Sequence, residues 1–104
     1  MGTLYYGDAR TPISIEDRAL AHLRFVILSK LRRNEGFGFS WTTSAEEGGV
    51  GSTVWISPSV PLHFESEDTH TPPLNRAWLE ALTQQASTSG GLTLIDEPSA
   101  GDSA

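Results

Sequence analysis

The chain has 104 residues, 38% of them hydrophobic and three of them Trp, with a formal net charge of −6. That length and apolar content suit one small globular core and exclude a second domain, and no apolar run approaches the roughly 20 residues needed to cross a bilayer. The acidic balance excludes a protein that coats nucleic acid by bulk charge, and the absence of Cys excludes disulfides and thiolate metal sites.

The first stretch, "MGTLYYGD", has neither a basic n-region nor an apolar h-region, so no secretory leader is expected and the cytoplasm is the expected compartment. "TLYY" and "TPISI" are β-prone and are separated by "GDAR", whose Gly and Asp suit a hairpin turn. Ser14 followed by Asp17 resembles a capping box and predicts a first helix over about Ile15 to Arg33, closed by Asn34 and Gly36. At 100° per residue, Ala19, Leu20, Leu23, Val26, Ile27 and Leu31 form its core face. The opposite side gathers Arg18, His22, Ser29, Arg32 and Arg33 around Phe25.

"GFGFSW" alternates, placing Phe37, Phe39 and Trp41 on one strand face, and "TVWIS" reads as the returning strand. Pairing the two sets Trp55 across Gly38 and Ser40, with Val54 and Ile56 on the aromatic face. The connection "TTSAEEGGVGS" is Gly-rich and acidic, and the two Pro of "SPSVPLHFESED" limit Leu62 to Phe64 to a short edge strand. Thr71 before Pro72 and Pro73 predicts a second helix running to about Ala86 with an apolar stripe of Leu74, Trp78, Ala81 and Leu82. "STSGG" stops it and "LTLI" makes a last strand. Residues 1–95 form the expected domain, and from Asp96 onward, 96–104, the composition predicts a flexible acidic tail. The order β-β-α-β-β-α-β defines an α+β domain with a mixed sheet packed by two helices, a β-grasp-like arrangement being one candidate.

The strings "MGTLYYGD", "DRALAHLRFVILSKLRRNEGFGFSW", "STVWISPSVPL" and "LNRAWLEAL" together resemble a family of short actinobacterial proteins of unknown function, over about residues 1 to 97. Members of that family often carry the label "ATP-dependent DNA ligase", and a ligase-like nucleotidyl transfer, as that label would have it, ranks last among the functional readings. Such a ligase uses a Lys nucleophile in a Lys-x-Asp-Gly setting. The only Lys of this chain is Lys30, followed by Leu31, Arg32 and Arg33.

Charge segregation is the strongest functional clue. Arg18, Arg24, Lys30, Arg32 and Arg33 fall in one stretch free of acids, whereas the remainder sets two Arg against thirteen acids. Arg18, His22, Phe25, Arg32 and Arg33 are therefore the candidate contact residues, with cations around one apolar anchor. Phe37, Phe39 and Trp41 read as a core strand, the alternative being a stacking platform for unpaired bases to which Trp41 or Trp55 contributes. His63, Glu65, Asp68 and His70 in "HFESEDTH" have metal-ligating side chains, but their spacing fits no metal-site motif, and a solvated loop is the expectation. There is no nucleophile elbow, phosphate loop or dinucleotide fingerprint, and Glu46 and Glu47 oppose a phosphate at "EEGGVGS". The reading is a non-catalytic binding module without metal or cofactor, meeting a protein partner or a second copy through helix 1 and not a membrane. In a self-association the 46–47 loop or the 65–68 segment is the expected counterpart. The alternative is a nucleic-acid accessory protein with Arg18, Arg24, Lys30, Arg32 and Arg33 on phosphates.

Overall fold

The computed structural model describes residues 1–42, 49, 51–67 and 73–98. Strands β1 (Gly2–Tyr6) and β2 (Thr11–Ile15) form the expected hairpin, and helix α1 (Asp17–Arg32) leads into β3 (Phe37–Thr42). After β4 (Gly51–Ile56) and β5 (Leu62–Ser66) come helix α2 (Arg76–Ala86) and the two-residue β6 (Leu92–Thr93). The α+β class is as the sequence predicts, but the strands divide between two three-stranded sheets, ordered β2-β1-β5 and β4-β3-β6. A single β-grasp-like mixed sheet is therefore not formed. The cause lies in "SPSVP", where Val60 N–H bonds Ser57 C=O and Gly7 N–H bonds Pro61 C=O, turning β5 back onto β1.

Hydrophobic periodicity explains what packs where. Leu4, Ile13 and Ile15 of the first sheet, Leu20, Leu23, Val26 and Ile27 of α1, and Phe37, Phe39 and Ile56 of the second sheet are all buried. Trp78, Leu82 and Ala86 of α2 close the same core. Each fully buried aliphatic side chain contributes about 1.5–3 kcal/mol by leaving water. Helix α1 rests on β1 and β5, α2 rests on β3 and β6, and the helices pack on each other. Among the described residues a hydrogen bond ties the sheets at their rim, from Tyr6 Oη to the Trp55 carbonyl at 2.5 Å.

The β3–β4 register pairs Phe37 with Ile56, Gly38 with Trp55 and Phe39 with Val54, as the alternation predicts. Helix boundaries differ from expectation. Glu16, not Ser14, caps α1, its Oε2 accepting the Ala19 N–H at 2.9 Å, because Ser14 is held in β2 opposite Thr3. At the other end Asn34 takes φ +58°, a left-handed conformation that Asn tolerates, and the following Glu35 N–H closes onto the Lys30 carbonyl. Helix α2 is capped by Asn75, whose Oδ1 accepts the N–H groups of Ala77 and Trp78. Leu74 accordingly precedes the helix and is exposed; Thr71 and Pro72 lie outside the described residues. Past α2 the chain turns at Gly91, φ +77°, where a Cβ would stand 2.6 Å from the Gly38 carbonyl oxygen.

Candidate functional site

Helix α1 decides which predicted contact residues reach solvent. On its outer side Ala21, Phe25, Leu28 and Arg32 follow one another at helical spacing, with Arg24 alongside. Phe25 is 50% exposed and Leu28 42%, so two large apolar groups one turn apart remain uncovered. Arg24 and Arg32 are exposed, and among the described residues neither has an ion-pair partner. Arg33, just past the last turn, is open to solvent and stands 3.6 Å from Glu35. Of the predicted set, Phe25, Arg32 and Arg33 thus share this end of the surface. Leu28, which was not among the candidates, completes its apolar part; its spacing of three from Phe25 was the available signal.

Arg18 and His22 do something else. His22 is wholly buried between the helices, its ring against that of Trp78 at a tilt of 34° with centroids 4.5 Å apart. Its Nε2 accepts the Asn75 backbone N–H at 2.8 Å, and its Nδ1 lies 2.8 Å from the Arg18 carbonyl. Only the neutral ring with its proton on Nδ1 satisfies both partners. Arg18 grips Glu97 with two bonds, Nε to Oε1 and Nη2 to Oε2, each 2.7 Å, and adds a third from Nη1 to the Pro73 carbonyl. Asn75 Nδ2 binds Glu97 Oε2 and the Pro98 carbonyl, and Trp78 Nε1 binds the Ile95 carbonyl. The Arg18 and Asn75 bonds to the Glu97 carboxylate pull its pKa down to about 2. Glu97 in turn raises that of the Arg18 guanidinium.

This network corrects two expectations. Arg18 and His22 are not outward contact residues; they sit at the margin of the core face, and α2 with the C-terminal segment covers that margin. Nor does a loose tail begin at Asp96, since Glu97 and Pro98 are bonded to the domain; residues 99–104 lie outside the described residues.

The remaining candidates separate as well. Phe37 and Phe39 are core, with Trp41 half-buried and stacked on Phe39. Trp55, 60% exposed, lies on the opposite face of the second sheet beside Gly38, so Trp41 and Trp55 do not form one platform. Lys30 is nearly buried, its Nζ donating to Glu35 Oε1 at 3.0 Å and to Ser87 Oγ at 2.7 Å. That pairing lowers the Glu35 carboxyl, chiefly through the Lys30 hydrogen bond. His63 and Glu65 lie on β5, 3.6 Å apart, with Tyr5 edge-on to His63, while Asp68 and His70 lie outside the described residues. Among the described residues no three potential metal ligands gather. No helix among them is long and apolar enough to cross a membrane. Glu46 and Glu47 also lie outside the described residues.

The structure defines a small α+β domain in which two helices are riveted together by a buried His and an Arg–Glu clasp, leaving one outer helix ridge uncovered. Residues 1–97 match the model of a domain of unknown function, DUF7882, and the chain belongs to that family. No curated protein and no solved structure matches it.

Proposed function

We propose that this domain is a non-catalytic interaction module whose contact surface is the α1 ridge of Arg24, Phe25, Leu28 and Arg32, and whose partner is a protein presenting an apolar patch rimmed by carboxylates. The observation that carries this reading is the exposure of Phe25 and Leu28 side by side next to two cations that have no ion-pair partner among the described residues. Apolar anchors bordered by charge favour a protein surface, because the anchors gain from burial while the charges select the partner. Phosphate binding is less well served. Arg18 and Lys30 are committed internally and Arg33 stands beside Glu35, which leaves Arg24 and Arg32 for a backbone that a −6 protein repels. A symmetric pairing of two α1 ridges would set like charges against each other, which weighs against a second copy as the occupant. The reading includes a cytoplasmic setting. It sets aside the ligase label of the actinobacterial proteins that the chain resembles, since Lys30 is the only Lys and its ammonium is held by Glu35 and Ser87.

The test is a photo-crosslinking side chain placed at Leu28 of the full chain and, as control, at exposed Ser59. A protein adduct from position 28 alone is expected, with the purified partner binding less tightly as salt rises. Adducts to a second copy or to nucleic acid would assign the ridge to those occupants instead, and equal labelling from both positions would remove the ridge from consideration.

A further inference from the structure

On the far side of α1's last turn, β4 and the chain after α2 enclose an open cleft of about 530 Å³. Its floor is Gly36, over which the Trp55 indole lies; a Cβ on Gly36 would come within 2.7 Å of Trp55 Cζ2. The ring is thus seated against the Gly36 main chain while Trp55 remains 60% exposed. Around the indole stand Lys30, Glu35, Ser87 and Ser89.

The hydrogen-bonding capacity left over is mixed. Lys30 Nζ has three N–H groups and two partners, and Glu35 receives its contacts on Oε1 alone. Among the described residues, Glu35 Oε2, the Ser89 hydroxyl and the Trp55 indole N–H have no partner. Donors and acceptors are therefore both available in the cleft beside the indole, and the ammonium of Lys30 is already neutralised by the adjacent Glu35 carboxylate. A phosphate would use only donors and would meet Glu35 as a like charge. A neutral ring bearing hydroxyls uses both kinds of group, and the weakly positive C–H face of a pyranose suits the negative face of an indole. The cleft is polar and open, which fits a hydroxylated ligand held by a few placed groups better than a greasy one.

We infer that this cleft is a binding site for a neutral pyranose sugar, stacked on Trp55 and hydrogen-bonded by Lys30, Glu35 and Ser89. It is distinct from the α1 ridge in residues and chemistry, so either reading stands without the other. The experiment is a nitrogen–proton correlation titration of the full chain with four probes: maltotetraose, cellotetraose, inorganic phosphate and a short deoxythymidine oligomer. At least one of the two neutral oligosaccharides is expected to shift the Trp55 indole and Ser89 amide signals, saturating in the millimolar range. Trp55→Ala abolishes the shift, Trp55→Phe restores part of it, and Glu35→Gln weakens binding about tenfold, as one charge-assisted hydrogen bond becomes a neutral one. Silence with both sugars, a shift that survives Trp55→Ala, or a response to phosphate or the oligomer alone would each overturn the assignment. Because Trp55 is largely exposed, its replacement tests the site without emptying the core.

Discussion

His22 Nε2 accepts the backbone N–H of Asn75 at 2.8 Å, so one buried imidazole on α1 holds the first residue of α2's cap. A residue written among cations on an apparent outer face is thus the joint between the two helices.

Removing that joint is expected to be costly. His22→Ala leaves a cavity against Trp78 and strands the Asn75 N–H, which together cost about 3–5 kcal/mol. His22→Phe keeps the ring volume and loses only the hydrogen bonds, for about 1–3 kcal/mol. Urea unfolding of the two variants checks the order; equal losses would mean that packing contributes nothing beyond the bonds.

The Arg18–Glu97 clasp makes stability depend on pH. A Glu97 carboxyl lowered from its ordinary 4.5 to about 2 binds fewer protons in the folded chain than in the unfolded one. Its contribution is therefore complete above the ordinary value and is lost as pH falls from about 4.5 toward about 2. Glu35, lowered by Lys30, acts in the same direction. Urea midpoints measured down this range are expected to fall less steeply in Glu97→Gln than in the parent chain, and Glu35→Gln separates the second carboxyl.

Lys30 and Glu35 are unequal partners. Lys30→Met keeps the buried stem and leaves a solvated carboxylate behind, whereas Glu35→Ala leaves a nearly buried ammonium with Ser87 alone. Glu35→Ala is expected to lower the unfolding midpoint more than Lys30→Met, and the reverse order would show that the ammonium is better hydrated than its burial indicates.

Gly91 is expected to tolerate no side chain. Gly91→Ala forces a Cβ against the Gly38 carbonyl at a φ of +77° and costs about 2–4 kcal/mol from overpacking and left-handed strain together. Thermal unfolding of this variant reads the loss directly, and an unchanged midpoint would mean that β6 shifts away from β3 at no cost.

How much of this was legible depended on the range of the interaction. The core face of α1 and the β3–β4 register follow from periods of 3.6 and 2, which a local pattern carries, so Leu23, Ile27, Phe37 and Phe39 were readable as core. Arg18 and His22 were not readable as interior. They lie at the edge of the helical stripe, and what covers that edge is Glu97, 79 residues away from Arg18 in the chain, together with Asn75. The same distance hid the division into two sheets, because β5 pairs with β1 across the length of α1, β3 and β4. For the contact surface, the sequence located the helix, Phe25 and the cations, Arg24 among them, but counted cations that the fold consumes; Leu28 emerges once the buried positions are known.

The most direct test of the interface is the affinity of the partner captured at Leu28 for two charge-inserting variants, Phe25→Asp on the ridge and Trp55→Asp on the opposite sheet face, measured by titration calorimetry with folding verified for each. Loss of at least tenfold in Phe25→Asp, about 1.4 kcal/mol, with Trp55→Asp unchanged is the predicted result. Unaltered binding by Phe25→Asp would contradict the account.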